Sequence, residues 1–483
     1  MLADTRPYQP KLLLSFGIFL VSGIAAIIMQ EPVLLVIPFA WIFVPVIFQF
    51  AVTRTEQLFW LLLILLPLST ELTITPQLGL DFPDELLLML LTGISIVKLI
   101  HQPEWFPASL SKHPLFFILV VDMGWMLITC VYATEPLLAI KYVLAKTWYI
   151  IPFVLLPQIL LHSRERVGKL AICLLLPMLF VVIQSLLRHA FYGFSFKDIQ
   201  QVLAPFFRNH VNYSSMLVCL LPVAWCVWTL TPAENPKRKI IGYGILIGLI
   251  GLLFAYSRGA WIALLAGIIA VWVIRKRLMG AFMMLAILGV IISTVWLVTD
   301  KNYMRFAPDH DRTVFHTNFS EHMLATVEMK DVSTAERFYR WIAGARMLAD
   351  KPITGFGPNA FYPHYRSYTV NRFETWVSDN KEHSTVHNYF LLTALEQGII
   401  GLILFCALYF GMLLHVQRLY HQFQSRFYKQ VTLTVGMVLI MIGVINTMSD
   451  MIETDKIGSL FWLCLGMVVL LDSKGKEERE LLA

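Results

Sequence analysis

The sequence predicts an all-α, polytopic integral membrane protein with about 12–14 transmembrane helices, on three observations. Hydrophobic residues make up 57% of the 483 and charged residues only 14%. The mean hydropathy is +0.67, outside the range of a soluble globular chain. Apolar runs of roughly 20 residues, the length that crosses a hydrocarbon core of about 30 Å, recur along the chain. Lys and Arg collect in the short loops between those runs, so the net charge of +6 reads as a topology signal and implies no nucleic-acid partner.

Taken in order, the runs give about 14 candidate spans, near 11–29, 32–50, 57–68, 84–101, 114–132, 138–161, 168–188, 211–230, 239–256, 259–274, 279–298, 387–416, 430–447 and 457–471. The third is short, and two pairs are joined by almost no loop, which sets the lower bound. With every span counted, Arg54, Lys98, Lys112, Arg164, Arg166, Lys169, Lys237, Arg238, Lys239, Arg275, Lys276, Arg277, Arg418, Arg426, Lys429 and the tail cations fall on one side. That side is expected to be the cytoplasm, with both termini in it. The opposite loops, "STELTITPQLGLDFPDE" and "SDMIETD", are acidic or neutral. The first apolar run has no small-residue cleavage site and continues into a second, so no cleavable signal peptide is expected. All six cysteines lie in apolar runs without CxxC spacing and read as small buried hydrophobes.

Three regions follow: helices over 1–298, a polar segment over 299–386, and C-terminal helices with a short tail over 387–483. The polar segment, about 90 residues long, far exceeds an ordinary connection and is expected on the outer face. "STAERFYRWIAGARMLADKP" predicts a helix there, with Ser333 and Glu336 as a capping box and Pro352 beyond its end. Phe338, Trp341, Ile342, Ala345 and Leu348 recur at helical spacing and are expected to face the membrane domain. Trp376 adds to the segment's aromatic content, and "GFGPNAF" reads as a turn.

Several cations and imidazoles converge on that outer face. Arg258 lies in the minimal turn "AYSRGAW", Arg337 and Arg340 share the loop helix, and Arg208 and His210 precede another span. An ion at the bilayer centre costs about 3 kcal/mol or more, so Arg258 belongs at the interface. Guanidinium groups there can bind phosphate through paired hydrogen bonds, and two or three of them suit a diphosphate. Arg258 also fits a snorkelling anchor, and Arg337 and Arg340 fit a solvated helix face. His387 opens a span, and His383 stands four residues before it without a matching carboxylate, so no metal site is expected. Asp122 and Glu396 are intramembrane acids. Glu396 would point away from His387 on an ideal helix, which suits packing or a partner such as Lys141 or Lys146.

The stretch from 387 reads His387-Asn388, nine residues, Gly398-x-x-Gly401. It resembles the signature of the O-antigen ligase family, bacterial membrane glycosyltransferases related to O-antigen polymerases, whose large extracytoplasmic loop precedes this motif. The family's Arg-x-x-x-Leu corresponds here to Arg337-x-x-x-Trp341, which keeps the Arg and changes its neighbour. Arg258 resembles the family's outer-face Arg in the hairpin before the loop. The resemblance covers roughly residues 205 to 470.

That resemblance implies a lipid-glycosyltransferase (GT-C-like) helical fold in the bacterial inner membrane, with the active site on the periplasmic face. The implied reaction moves a glycan from undecaprenyl diphosphate to an acceptor hydroxyl, such as lipid A core, without metal or other cofactor. Arg258 and Arg337, helped by Arg208 or Arg340, would hold the diphosphate, with His383 nearby. His387 would take the acceptor proton, its place at a helix N-terminus favouring a neutral ring. Asn388 would orient the ring or a sugar hydroxyl, and Gly398 and Gly401 would admit a neighbouring helix. Besides the donor and acceptor, membrane lipids are the expected partners. A polymerase lengthening lipid-linked repeat units is the alternative. A transporter is a third reading, which would place polar residues and broken helices at the midplane.

Overall fold

The computed structural model describes residues 9–29, 36–75, 78–307, 332–375, 378–380 and 383–482. Trp376 and the side chain of Ser333 lie outside what is described. The apolar runs become helices at the expected places: α1 (Gln9–Met29), α2 (Val36–Thr53), α3 (Thr55–Leu65) and α4 (Asp84–His101), then α5 (Pro114–Val131), α6 (Pro136–Leu160), α7 (Arg164–Phe191) and α8 (His210–Leu230). After these come α9 (Lys237–Leu253), α10 (Arg258–Arg275), α11 (Met279–Val298), the loop helix α12 (Val332–Asp350), and α13 (Tyr389–Gln422), α14 (Arg426–Asn446) and α15 (Asp455–Leu482). Nine helices among the described residues are long and apolar enough to cross a membrane, the result being an all-α polytopic membrane protein. The short span expected near 57–68 is the 11-residue α3, and α9 has 17 residues.

Local signals explain several starts. Ser163, Asn209 and Asn388 cap α7, α8 and α13 by accepting backbone N–H bonds, and Pro114 and Pro136 occupy first turns, where no N–H is needed. One departure from the helical expectation is a hairpin, Thr70–Thr75 antiparallel to Leu78–Phe82, with Leu72 opposite Leu80.

The bundle has a basic end and a loop end. At the basic end Arg166 pairs with Glu56 at 2.8 Å, Lys98 donates to Thr55 Oγ1 at 2.9 Å, and Arg426 donates to the Thr229 carbonyl at 2.8 Å. The core lies along α14 and α15, where Leu439, Ile442, Ile457, Phe461 and Leu465 are fully buried. On α11, by contrast, only Met279 is buried, which places that helix at the periphery with its apolar surface toward lipid.

The loop helix packs on the core partly as expected. Ala335, Tyr339, Ala343 and Met347 form its buried stripe, beside Glu336 and Arg340, while Ala345 is exposed. Of the expected face, Phe338, Trp341 and Ile342 do pack, partly buried, against the core, but the most buried stripe is offset from them because Glu336 and Arg340 share it. Glu336, expected in a capping box, instead accepts from Thr375 Oγ1 at 2.5 Å and from Ser378 Oγ.

The midpoint of the His-Asn motif carries a break. Gly398 has φ 71° and ψ −176°, interrupting α13. A Cβ there would overlap the Ile353 carbonyl, so the glycine admits the loop backbone at 352–357 and not a neighbouring helix. Gly401 similarly makes room for the Gln397 side chain of its own helix. The carbonyls released by the break are taken up: Leu395 O accepts from Phe356 N–H at 3.0 Å, Glu396 O from Gly357 N–H at 2.8 Å, and Gln397 O from Trp125 Nε1 at 2.8 Å. In return the Ile399 N–H donates to Pro352 O at 2.8 Å. Replacing Gly398 by Ala is therefore expected to lower the unfolding temperature in detergent by about 5 °C or more, since it adds both backbone strain and overlap. Gly289→Ala, where a Cβ meets nothing within 4 Å, is expected to leave that temperature unchanged; equal effects would show that the break tolerates a side chain.

Candidate functional site

The site forms where α12 lies over the start of α13 and the loop between α14 and α15. His387 immediately precedes the cap of α13, with φ 53°, a left-handed conformation that is uncommon for a non-glycine residue. Asn388 is the cap: its Oδ1 accepts from Leu391 N–H at 3.1 Å, so that oxygen is spent on the helix and not on orienting the imidazole. The Tyr389 N–H donates to Ser449 O at 3.0 Å, tying this start to the loop that carries Asp450.

Arg340 is only 6% exposed. Its Nη1 donates to Thr385 O at 3.2 Å and lies 2.9 Å from His387 Nε2; Nη2 reaches Asn380 Oδ1 at 3.4 Å and Glu336 Oε2 at 3.5 Å. Arginine has donors only, so Nε2 must offer its lone pair and the ring proton sits on Nδ1. Nδ1 faces Asp450 Oδ1 at 3.6 Å, and the other oxygen of Asp450 accepts from the Thr385 hydroxyl. Burial pushes the Asp450 carboxyl up, but His387 and Thr385 outweigh it and hold the group below its ordinary value. The His387 side chain itself is 36% exposed, so a substrate can reach the ring. The chain thus brings an Arg, a His and an Asp into contact from three separate segments.

A second cluster supports the first. Lys146 Nζ donates to Tyr389 OH at 2.7 Å, to Tyr142 OH at 2.8 Å and to Glu453 Oε1 at 3.0 Å, while Tyr142 OH donates to Glu453 at 2.6 Å. Lys146 therefore pairs with Glu453 and not with Glu396. The Glu396 side chain instead faces the backbone N–H groups of Asn359 and Phe361 in the loop. Asp122 is buried, and its Oδ1 has no hydrogen-bond partner among the described residues.

The other expected residues divide between two places. Arg337 lies one turn before Arg340 on α12, and Arg258 opens α10 at the loop end, both partly buried. Arg208 stands apart, pairing with Glu71 at 2.5 Å. It lines a polar cavity of about 230 Å³ with Asp81, Glu85, Glu453, Asp455 and Lys456. There burial, and then the neighbouring Asp455, push the Asp81 carboxyl up to about 6. Such an acidic wall does not suit a diphosphate. His383 stacks on Tyr362, with ring centroids 3.9 Å apart, and the segment from it to His387 is loop, so their four-residue separation has no helical meaning. Among the described residues no group of three or more His, Cys, Asp or Glu is arranged to hold a metal.

Sequence reasoning missed Asp450, Thr385, Glu336 as the holder of Arg340, and the Lys146–Glu453 pair. Asp450 and Glu453 were visible only as acids in "SDMIETD", a short polar loop between two long apolar runs.

Residues 243–406 match the family model described as O-Antigen ligase. The matched segment contains Arg258, Arg337, Arg340, His387, Gly398 and Gly401, and stops short of Asp450. No curated protein matches the chain.

The Lys146 cluster makes a direct prediction. Lys146→Met leaves the Glu453 carboxylate without its cation and is expected to destabilise the loop end by about 3 kcal/mol. Adding Glu453→Gln should recover much of that loss, as read from unfolding temperatures of the four proteins in a double-mutant cycle. Additive losses would mean that the two side chains are not coupled.

Proposed function

From a multi-pass chain built around an O-antigen ligase domain, of the ligase and polymerase type of glycosyltransferase, we propose that the protein moves a glycan from undecaprenyl diphosphate to a hydroxyl of lipid A core. The observation that carries this reading is the contact of Arg340 with His387, backed by Asp450: a cation, a proton acceptor and a carboxylate converge at the one face where the long loop meets the bundle.

In the proposed reaction the acceptor hydroxyl attacks the anomeric carbon of the donor. A new glycosidic C–O bond forms, the bond to the diphosphate breaks, and undecaprenyl diphosphate leaves with the bonding electron pair. His387 Nε2 takes the hydroxyl proton, and Asp450, facing Nδ1–H, stabilises the imidazolium that results. Arg340 must leave Nε2 before the ring can act. An arriving diphosphate supplies the stronger, fully charged acceptor that would draw its guanidinium away. Arg258 and Arg337 would hold the same diphosphate and neutralise the charge that develops on it, the part a divalent metal plays elsewhere.

The distribution of cations supports a bacterial inner membrane setting with both termini in the cytoplasm and the site on the periplasmic face. The broken helix at Gly398 does not favour transport. Transporters leave such freed backbone groups for the substrate, whereas here the loop's own N–H groups and Trp125 occupy them.

The test is transfer by purified protein in detergent, with EDTA present, from undecaprenyl diphosphate-linked glycan to lipid A core. Wild type is expected to form product at an undiminished rate, His387→Ala to lose about a hundred- to ten-thousand-fold, and Arg258→Ala to lose comparably. Lengthening of lipid-linked chains without transfer to lipid A core would assign the protein as a polymerase. No transfer from any lipid-linked donor would overturn the reading.

A further inference from the structure

An apolar cavity of about 110 Å³ lies between α7, α8, α14 and α15, toward the basic end and away from His387. Gly168, Leu174, Cys226, Leu230, Phe427 and Met467 are among its walls. From Gly168 to Leu174 it follows α7 for about 9 Å. Protein interiors are otherwise close-packed and apolar voids exclude water, so a space of this kind suits an apolar guest.

Two exposed arginines stand where the cavity meets the basic end. The Arg164 guanidinium lies 5.6 Å from the ring centroid of Phe427, a cavity wall, and Nη2 donates to Ser425 Oγ at 3.2 Å. Arg426 donates to the Thr229 carbonyl at 2.8 Å, next to the wall residue Leu230. Neither is in an ion pair among the described residues, and the nearby Glu478 is committed to the N–H groups of Gln424 and Ser425, at 3.2 and 2.8 Å. Two exposed cations outside any ion pair among the described residues, over an apolar slot, match one chemistry: a phosphate joined to a hydrocarbon chain.

We propose that this is a binding site for an anionic glycerophospholipid of the membrane, with the headgroup-proximal part of one acyl chain in the cavity and the phosphate across Arg164 and Arg426. Guanidinium groups suit the phosphate, and basic pockets between helices at the cytoplasmic side of a membrane are suited to anionic headgroups. The site lies at the opposite end of the bundle from His387, so its occupant is a resident lipid and not the reacting donor, and the inference stands apart from the proposed reaction.

The full chain, purified in neutral detergent and mixed with equal phosphatidylglycerol and phosphatidylcholine, tests this by native mass spectrometry. Wild type is expected to retain phosphatidylglycerol with about a tenfold preference. Arg164→Gln with Arg426→Gln should abolish the preference while some lipid still binds. Gly168→Leu, at a position with open space around it, should fill the slot and reduce retention of both lipids; Cys226→Leu serves if that variant does not fold. Glycerol 3-phosphate, a headgroup without a chain, should not raise the unfolding temperature as phosphatidylglycerol does. Equal retention of the two lipids by wild type, an unchanged preference in the double arginine variant, or stabilisation by glycerol 3-phosphate equal to that by the lipid would overturn the proposal.

Discussion

A helix inside a membrane cannot leave backbone carbonyls unpaired, and the break at Gly398 depends on that constraint. Once α13 is interrupted, three of its carbonyls need donors, and the turn after α12 supplies two of them through Phe356 and Gly357. The loop is therefore not merely attached at its ends. It is hydrogen-bonded into the bundle beside Glu396, whose side chain faces the loop N–H groups of Asn359 and Phe361. This docking fixes the end of α12, and α12 in turn carries Arg340 to His387. Without it, a long polar segment between two spans would have no reason to hold one guanidinium against one imidazole.

The fold was largely legible because membrane spans carry the strongest pattern a sequence can hold. Each expected run became a helix, and even the short one near 57–68 is present as α3. The hairpin was missed although its signal was there: Thr70–Thr75 and Leu78–Phe82 largely alternate apolar and polar residues on either side of a Pro-Gln pair in the sequence, the period of a strand. It was read only for its charge. The packing face of α12 was anticipated in part: Phe338, Trp341 and Ile342 do meet the core, while Ala345 is exposed. A search for apolar spacing does not anticipate a most buried stripe that Glu336 and Arg340 share.

The candidate site was legible in part, and the division is physical. His387 and Arg340 stood out because a cation and an imidazole are expensive near a membrane and so invite explanation. Asp450 did not, because nothing local links "SDMIETD" to a residue that lies a helical hairpin away. Gly398 and Gly401 were recognised as a pair but given the wrong neighbour. Small residues on a span usually admit another helix, whereas the Ile353 carbonyl lying where a Gly398 Cβ would be shows that loop backbone is what approaches. Arg208 was grouped with the phosphate ligands by its charge and its place before an outward-facing span, and the structure sets it beside Glu71 in an acidic cavity.

Arg340 is held by a set of partners that is adequate without being complete. Its acceptors are a carbonyl, a neutral imidazole nitrogen, an amide oxygen and one carboxylate at the long limit of contact, and Nε has no partner among the described residues. A buried guanidinium in that state is kept in place by the cost of leaving its partners unsatisfied, more than by any one strong bond. A diphosphate would change the balance, because charge-assisted bonds are roughly twice as strong as neutral ones. In the proposed reaction the same movement would satisfy the cation and free the lone pair of His387, so the base would become available only once a donor is bound. Coupling of that kind would protect a membrane enzyme with a water-accessible histidine from acting on the wrong hydroxyl before its lipid-linked substrate arrives.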